Sequence, residues 1–263
     1  MKVPIYQVDA FATEPFTGNM AGVCILNEPK SSKWMQHVAE EMNVSETAFL
    51  LKQENGYNLR WFTPTVEVDL CGHATLASAH VLKETGLLKK DETVKFHTLS
   101  GILTAKLDGD YIELNFPSDP AENIEIPEML KEALGTDICR AGKSRLGYIA
   151  EVESEEIVRK LKPDFKLLAK LPLDGTIVTS LSSSKNYDFV SRFFAPSIGL
   201  DEDPVTGSAH CCLGPYWKEK LQKNEFVAFQ ASRRGGILKL KVAGGRVYIK
   251  GNAVTVIKGE LIA

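Results

Sequence analysis

Along the first 117 residues, short segments rich in β-branched and aromatic residues are separated by polar stretches. Those at 3–11, 22–26, 47–51, 58–62, 93–98, 103–107 and 111–116 are mostly bounded by Gly, Asn, Asp or Pro, and each predicts a β-strand. Two helices interrupt them. Residues 31–42 place Trp34, Val38 and Met42 at four-residue spacing, with Ser31 or Ser32 available as N-cap, the pattern of an amphipathic helix. Residues 72–85 carry Ala74, Leu76, Ala77, Ala79, Val81 and Leu82 and stop at Gly86 in a C′ position. A helix with so little polar face has to be enclosed by other elements.

The chain also repeats itself. Arg60-Trp61-Phe62-Thr63-Pro64 is echoed by Arg192-Phe193-Phe194-Ala195-Pro196, and an acidic stretch follows each, then a Gly-X-Ala: Gly72-His73-Ala74 and Gly207-Ser208-Ala209. From each of these glycines it is 29 residues to the next marker, Gly101 or Gly236, and eight more to Gly109 or Gly244. Two identical spacings within one order of motifs imply duplicated halves. The counterpart of the enclosed helix, 208–221, contains Gly214-Pro215 and is predicted to kink or restart there, because proline cannot donate its backbone bond. The expected architecture is a sheet wrapped around a helix, twice; the competing reading is an ordinary α+β domain with coincidental glycines.

Size does not choose between these, since 263 residues with 44% hydrophobic content suit one large domain or two smaller ones. Charge narrows the partners. With 31 Lys+Arg against 34 Asp+Glu and no basic run or Arg/aromatic cluster, nucleic acid is not an expected partner. Pro4 and Asp9 interrupt the N-terminus as a signal peptide, and no segment approaches the ~20 apolar residues of a membrane span, so no membrane association is expected. Cys24, Cys71, Cys139, Cys211 and Cys212 are odd in number and form no CxxC, which fits a reducing cytoplasm.

Candidate chemistry starts at Val44-Ser45-Glu46-Thr47-Ala48-Phe49-Leu50-Leu51. In a strand, Glu46 shares a face with Val44, Ala48 and Leu50, where burial would raise a carboxyl pKa and poise it to take a proton from carbon and return it; the alternative is a solvated or salt-bridged strand-edge glutamate. His73 follows Gly72 at the start of the enclosed helix, where the positive end of the helix favours a neutral imidazole that could share a proton with Glu46, or simply cap the helix. Asp203-Pro204-Val205-Thr206-Gly207-Ser208 repeats the design with a carboxylate and a hydroxyl. If the halves face each other, two helix N-termini converge on one cleft and hold a small carboxylate by backbone amides; the alternative for each Gly-X-Ala is tight packing. Neither Cys71 with His73 nor His210-Cys211-Cys212 matches a zinc spacing, and adjacent helical residues diverge, so no metal is expected. Dinucleotide, phosphate-loop and nucleophile-elbow glycine motifs do not occur.

Together Val8-Asp9-Ala10-Phe11, Phe16-Thr17-Gly18-Asn19, Val44 to Phe49, Arg60 to Pro64, Leu70-Cys71-Gly72-His73-Ala74-Thr75 and Asp203 to Ser208 resemble the phenazine-biosynthesis-like PhzF family over essentially the whole chain. The resemblance implies an α+β fold of the diaminopimelate epimerase type, with two pseudo-symmetric domains, each a barrel-like, mostly antiparallel sheet around a central helix. It further implies a division into residues 1–117 with a returning strand at about 254–263, and residues 118–253, with the site in the cleft between. Carried over by motif, Glu46 is the proton-shuttling carboxylate, His73 and Asp203 its catalytic partners, and Gly18, Asn19, Gly72, Ala74, Gly207 and Ser208 the substrate-binding positions. The chemistry implied is an isomerisation of a small carboxylate- or amino-acid-type substrate without cofactor, by a homodimer. Related epimerases use two cysteines, one at each Gly-X motif; here those places hold Cys71 and Thr206, which weakens the epimerase or racemase alternative. A catalytically silent binding module of the same fold is the other.

Overall fold

The computed structural model describes residues 2–262. The chain runs β1 (Val3–Ala10), β2 (Asn19–Leu26), α1 (Ser32–Met42), β3 (Glu46–Gln53), β4 (Gly56–Phe62), β5 (Glu67–Val68), α2 (Gly72–Glu84), β6 (Thr93–Thr98), β7 (Gly101–Asp108) and β8 (Tyr111–Pro117). It continues through β9 (Glu122–Ile124), α3 (Glu128–Leu134), β10 (Arg140–Lys143), β11 (Gly147–Glu151), α4 (Glu155–Lys160), α5 (Phe165–Leu168), β12 (Gly175–Leu181), β13 (Phe189–Ala195) and β14 (Leu200–Asp203). It ends with α6 (Gly207–Leu221), β15 (Glu225–Gln230), β16 (Gly236–Ala243), β17 (Arg246–Gly251) and β18 (Ala253–Leu261). Two compact units result, residues 1–115 with 250–263, and residues 116–249. The divisions thus fall inside β8 and β17, a few residues earlier than the 117/118 and 253/254 boundaries expected from sequence.

Within the first unit β2 and β3 pair in parallel across α1, and β3 pairs antiparallel with β4. Strand β4 then takes β5 antiparallel and β6 parallel, with α2 on the connection, and β6 and β7 form a hairpin. The second unit repeats this order. There β11 and β12 are parallel across α4 and α5, β12 pairs antiparallel with β13, β13 takes β14 antiparallel and β15 parallel across α6, and β15 and β16 pair antiparallel. The echo extends to side chains. Arg60 grips Glu67 with two hydrogen bonds of 2.6 Å, and Arg192 grips Glu202 at 2.6 and 2.9 Å. Each guanidinium also lies over the phenylalanine two residues on, Arg60 at 5.1 Å from Phe62 and Arg192 at 4.9 Å from Phe194. Equivalent pairings and equivalent ion pairs at the two copies of one motif are what a duplicated unit produces.

Helix α2 is the enclosed helix the sequence requires, packed against β1, β2, β3, β7 and β18 with His73 through Ala79, Val81 and Leu82 buried. Water removed from so many apolar side chains is the main stabilisation of this unit. Leu76 is fully buried, so Leu76→Ala should lower the unfolding free energy by about 2–5 kcal/mol, measurable by urea denaturation.

Helix α6 departs from expectation, running unbroken from Gly207 to Leu221 with Pro215 inside it. Proline leaves the carbonyl four residues earlier without its donor. That carbonyl belongs to Cys211, and it accepts the backbone N–H of Asp119 at 3.0 Å instead. The loop between β8 and β9 thus repairs the ladder, and Gly214 admits the close approach of Val242, whose Cγ2 would lie 3.0 Å from any added Cβ. Trp217 anchors the far turn, donating from Nε1 to Thr179 Oγ1 at 3.1 Å and stacking on Phe189. Among the described residues, no helix is long and apolar enough to cross a membrane.

Candidate functional site

Three chain segments of the first unit bring their side chains together. The turn before β2 is set by Gly18, whose φ of +66° and whose added Cβ, 2.2 Å from Ala10 O, leave room only for glycine. Asn19 follows it, fully buried. Glu46 opens β3, in register with Ala21 of β2. Cys71 precedes α2 in an extended conformation, φ −143° and ψ 114°, as its N-cap, and His73 sits in the first turn. The His73 ring is the hub. Its Nδ1 lies 3.2 Å from Asn19 Nδ2 and 3.5 Å from Cys71 Sγ, and its Nε2 lies 3.0 Å from Glu46 Oε2. Ser45 Oγ donates to Asn19 Oδ1 at 3.2 Å, which directs the amide N–H2 toward the ring.

The contact between Nε2 and Oε2 is close but poorly aligned, so both atoms are buried without a hydrogen-bond partner of good geometry. An amide donor on Nδ1 places the ring proton of neutral His73 on Nε2, facing the carboxylate. Charge acts in the other direction. Burial disfavours the imidazolium, but the neighbouring Cys71 and Glu46 outweigh it and raise His73 well above its ordinary value of 6.5. The Cys71 thiol is itself pushed up to about 11, by burial first and the Glu46 charge second, against the pull of His73. The neutral imidazole expected from the helix terminus is therefore corrected: the neighbouring Cys71 and Glu46 together raise His73 against both burial and the positive end of the helix. His73 Nε2 and Glu46 Oε2 thus face each other across 3.0 Å in a buried setting.

The second unit carries its own polar constellation. Asp203 ends β14, and Thr206 is the N-cap of α6, its hydroxyl donating to Asp203 Oδ2 at 2.5 Å. Gln230, fully buried at the end of β15, holds the segment in place. Its Oε1 accepts from Thr206 N at 2.8 Å, and its Nε2 donates to Asp203 O at 2.8 Å and to Thr206 Oγ1 at 3.1 Å. Gly207 is buried and Ser208 half-buried at the start of the helix. One turn on, the buried His210 donates from Nδ1 to Thr206 O at 2.8 Å, and its Nε2 has no partner.

The structure thus gathers Glu46, His73 and Asn19, with Gly18 shaping the turn, and Gly72 and the buried Ala74 flanking His73 on α2. Asp203, Gly207 and Ser208 lie in the second unit. Sequence reasoning missed Ser45 and Gln230, which carry no local pattern. The grounds for setting a metal aside also change. The ligand atoms of Glu46, Cys71 and His73 all lie within 4.8 Å of one another. Divergence around a helix does not separate Cys71 from His73, because Cys71 is outside the helical turn. Among the described residues, His210, Cys211 and Cys212 form no such group.

Similar proteins are known over the whole length of the chain. An uncharacterized isomerase of Halalkalibacterium halodurans is 54% identical over 263 residues, covering 100% of this chain and 99% of its own. The crystal structure of a PhzF-family phenazine biosynthesis protein from Enterococcus faecalis superposes with a TM-score of 0.96 at 44% identity, covering 100% of both chains. A hydroxyproline epimerase from Agrobacterium vitis, solved with trans-4-hydroxy-L-proline bound, aligns at 12% identity with a TM-score of 0.64 over 99% of this chain and 92% of its own, a likeness of fold alone. These fix the fold as α+β, of the PhzF and diaminopimelate epimerase type, with mostly antiparallel strands and few helices. The model of the phenazine biosynthesis-like family PhzC-PhzF matches residues 8–259, and the chain belongs to that family.

Proposed function

We propose that the protein is an isomerase that moves a proton between carbon atoms of a small carboxylate-bearing substrate, with Glu46 as the acid and base. The observation that carries this reading is the buried contact of Glu46 Oε2 with His73 Nε2 at 3.0 Å, in which neither atom has another hydrogen-bond partner. A carboxylate held in this way is available to a C–H bond, and the imidazole can store or return the proton. Relatives named as isomerases over the full length of the chain support the class of reaction.

Substrate capture follows from the helix termini. No side chain caps α2 or α6 by a hydrogen bond, so first-turn N–H groups are available to a carboxylate, aided by the positive end of each helix. Asp203 is proposed as a second catalytic group and Ser208 as a substrate hydroxyl contact. A two-base epimerisation is disfavoured, because Thr206 stands at the second base position and its hydroxyl is committed to Asp203 at 2.5 Å.

The test is hydrogen exchange in deuterated water. The protein is incubated with a panel of small amino acids and unsaturated carboxylic acids, and incorporation of solvent deuterium and migration of the double bond are followed by NMR. Exchange at carbon with a shifted product supports the isomerase. Binding of panel members, seen as thermal stabilisation, with no exchange in any would replace the isomerase by a binding module. Asp203→Asn should slow the reaction that the wild type performs; an unchanged rate removes Asp203 from the chemistry.

A further inference from the structure

A groove of about 780 Å³ is built entirely from the second unit, where the end of α4, strands β13 and β14 and the turn after β15 meet. Arg159, Lys160, Lys162, Arg192 and Arg233 line it, and Glu202 is the one carboxylate among the lining residues. We infer that this groove binds a phosphate-bearing small molecule, with Lys162 and Arg233 as the residues that hold the phosphate.

The argument begins with charge. Arg159 pairs with Glu155 at 2.6 Å, Lys160 with Glu156 at 2.6 Å, and Arg192 with Glu202 at 2.6 and 2.9 Å. The Lys162 ammonium and the Arg233 guanidinium have no ion pair or hydrogen bond among the described residues. Two positive charges are thus left over in one groove of a chain whose net charge is −3. A phosphate dianion matches them, and a guanidinium fork beside an ammonium is the chemistry that recognises it. The negative end of α4 would oppose an anion, but it is covered: Arg192 Nη1 donates to Val158 O at 3.2 Å and to Leu161 O at 2.7 Å.

Exposed cations are ordinarily just solvated, yet both of these stand on fastened backbone. Lys162 lies between Leu161, whose carbonyl Arg192 holds, and Pro163, which restricts it to an extended conformation. The turn that carries Arg233 is fixed by Ser232 Oγ, which donates to Pro204 O at 2.7 Å and accepts from Gly235 N at 3.1 Å. Ala231 N adds a bond to Ser191 O at 2.7 Å. In the first unit the matching turn joins Thr98 to Gly101 through two residues, whereas five separate Gln230 from Gly236. A hairpin does not need that extra length, and the longer turn is what brings Ser232 and Arg233 to the groove. Its volume falls within the roughly 300–1,000 Å³ of small-molecule sites. The inference is independent of the isomerase reading, because none of its residues belongs to the first unit and binding is measured without turnover.

The experiment titrates the full-length protein by calorimetry with pyrophosphate and with adenosine diphosphate at low salt. The expected result is saturable binding of one ligand per chain with a Kd below about 1 mM. Arg233→Ala and Lys162→Ala should each weaken it at least about tenfold, with unchanged melting temperatures because both side chains are exposed. Lys185→Ala removes an exposed charge that does not line the groove and should leave binding as it is. Equal affinity for the two probes identifies the phosphate group alone as what is read, and tighter binding of adenosine diphosphate identifies a nucleotide; both support the groove. No saturation by the wild type in that range overturns the inference. So does binding that survives both groove substitutions, which would place the ligand elsewhere, or a loss in Lys185→Ala as large as in Arg233→Ala, which would mark general charge attraction.

Discussion

Glu46→Gln is expected to lower the rate of solvent-hydrogen exchange by about 10²–10⁴-fold, the span typical of a lost general acid or base, while the protein remains folded. The substitution is nearly isosteric. Glutamine keeps a carbonyl oxygen where Oε2 now faces His73 Nε2 at 3.0 Å, and it keeps β3 in register with β2, so the packing around the site should survive. What disappears is basicity, because an amide does not take a proton from carbon. The half-buried position of Glu46 among the buried Val44, Ala48 and Leu50 limits rescue by a water molecule acting from bulk solvent. The measurement is NMR-detected deuterium incorporation into whichever panel compound the wild type exchanges, alongside a melting curve. A variant with unchanged melting temperature and full exchange would take Glu46 out of its role and leave His73 or Asp203 to be tested in its place.

How far the sequence discloses such a site depends on the range over which its signal acts. Strand β6 and helix α1 are legible because alternation and four-residue spacing are local, and Ser31 does cap α1, accepting from Trp34 N at 3.2 Å. The duplication is legible because it leaves equal spacings, and the matching grips of Arg60 on Glu67 and Arg192 on Glu202 show what those spacings preserve. Helices α3, α4 and α5 span only 7, 6 and 4 residues and give no periodic pattern to read. The continuity of α6 is hidden for another reason: the group that repairs the ladder at Pro215 is the backbone of Asp119, far off in sequence. Gln230 escapes notice in the same way, since one glutamine at a strand end predicts nothing until it is found making three hydrogen bonds to the Asp203–Thr206 turn. Nearness of His73 to Glu46 could be suggested from the helix terminus, yet its raised pKa could not, because that depends on how closely Cys71 and Glu46 approach the ring in three dimensions.

The fully buried His210 leads to an expected loss of stability in mild acid. Its Nδ1–H is committed to Thr206 O at 2.8 Å, while the ring stacks on Phe189 and the buried Nε2 has no partner. Burial pushes its pKa down from 6.5 to about 4, opposed by the hydrogen bond to Thr206. The sign follows from linkage. Above pH 6.5 the ring is neutral in both folded and unfolded chains, and this stabilising difference is fully present. As the pH falls from 6.5 to 4, the unfolded chain binds a proton that the folded chain refuses, so stability drops until the folded ring also titrates. At 1.36 kcal/mol per pKa unit the loss reaches about 2 kcal/mol at pH 5 and about 3 kcal/mol near pH 4. His210→Asn preserves a donor for the Thr206 carbonyl and cannot be protonated. The variant should be less stable at pH 8 because it leaves a small cavity. Its deficit relative to the wild type should shrink by about 2 kcal/mol when urea unfolding is repeated at pH 5. A deficit that stays constant between the two pH values would mean that His210 is charged or solvated in the folded chain, and the unpartnered Nε2 would then need an acceptor that the interior does not otherwise provide.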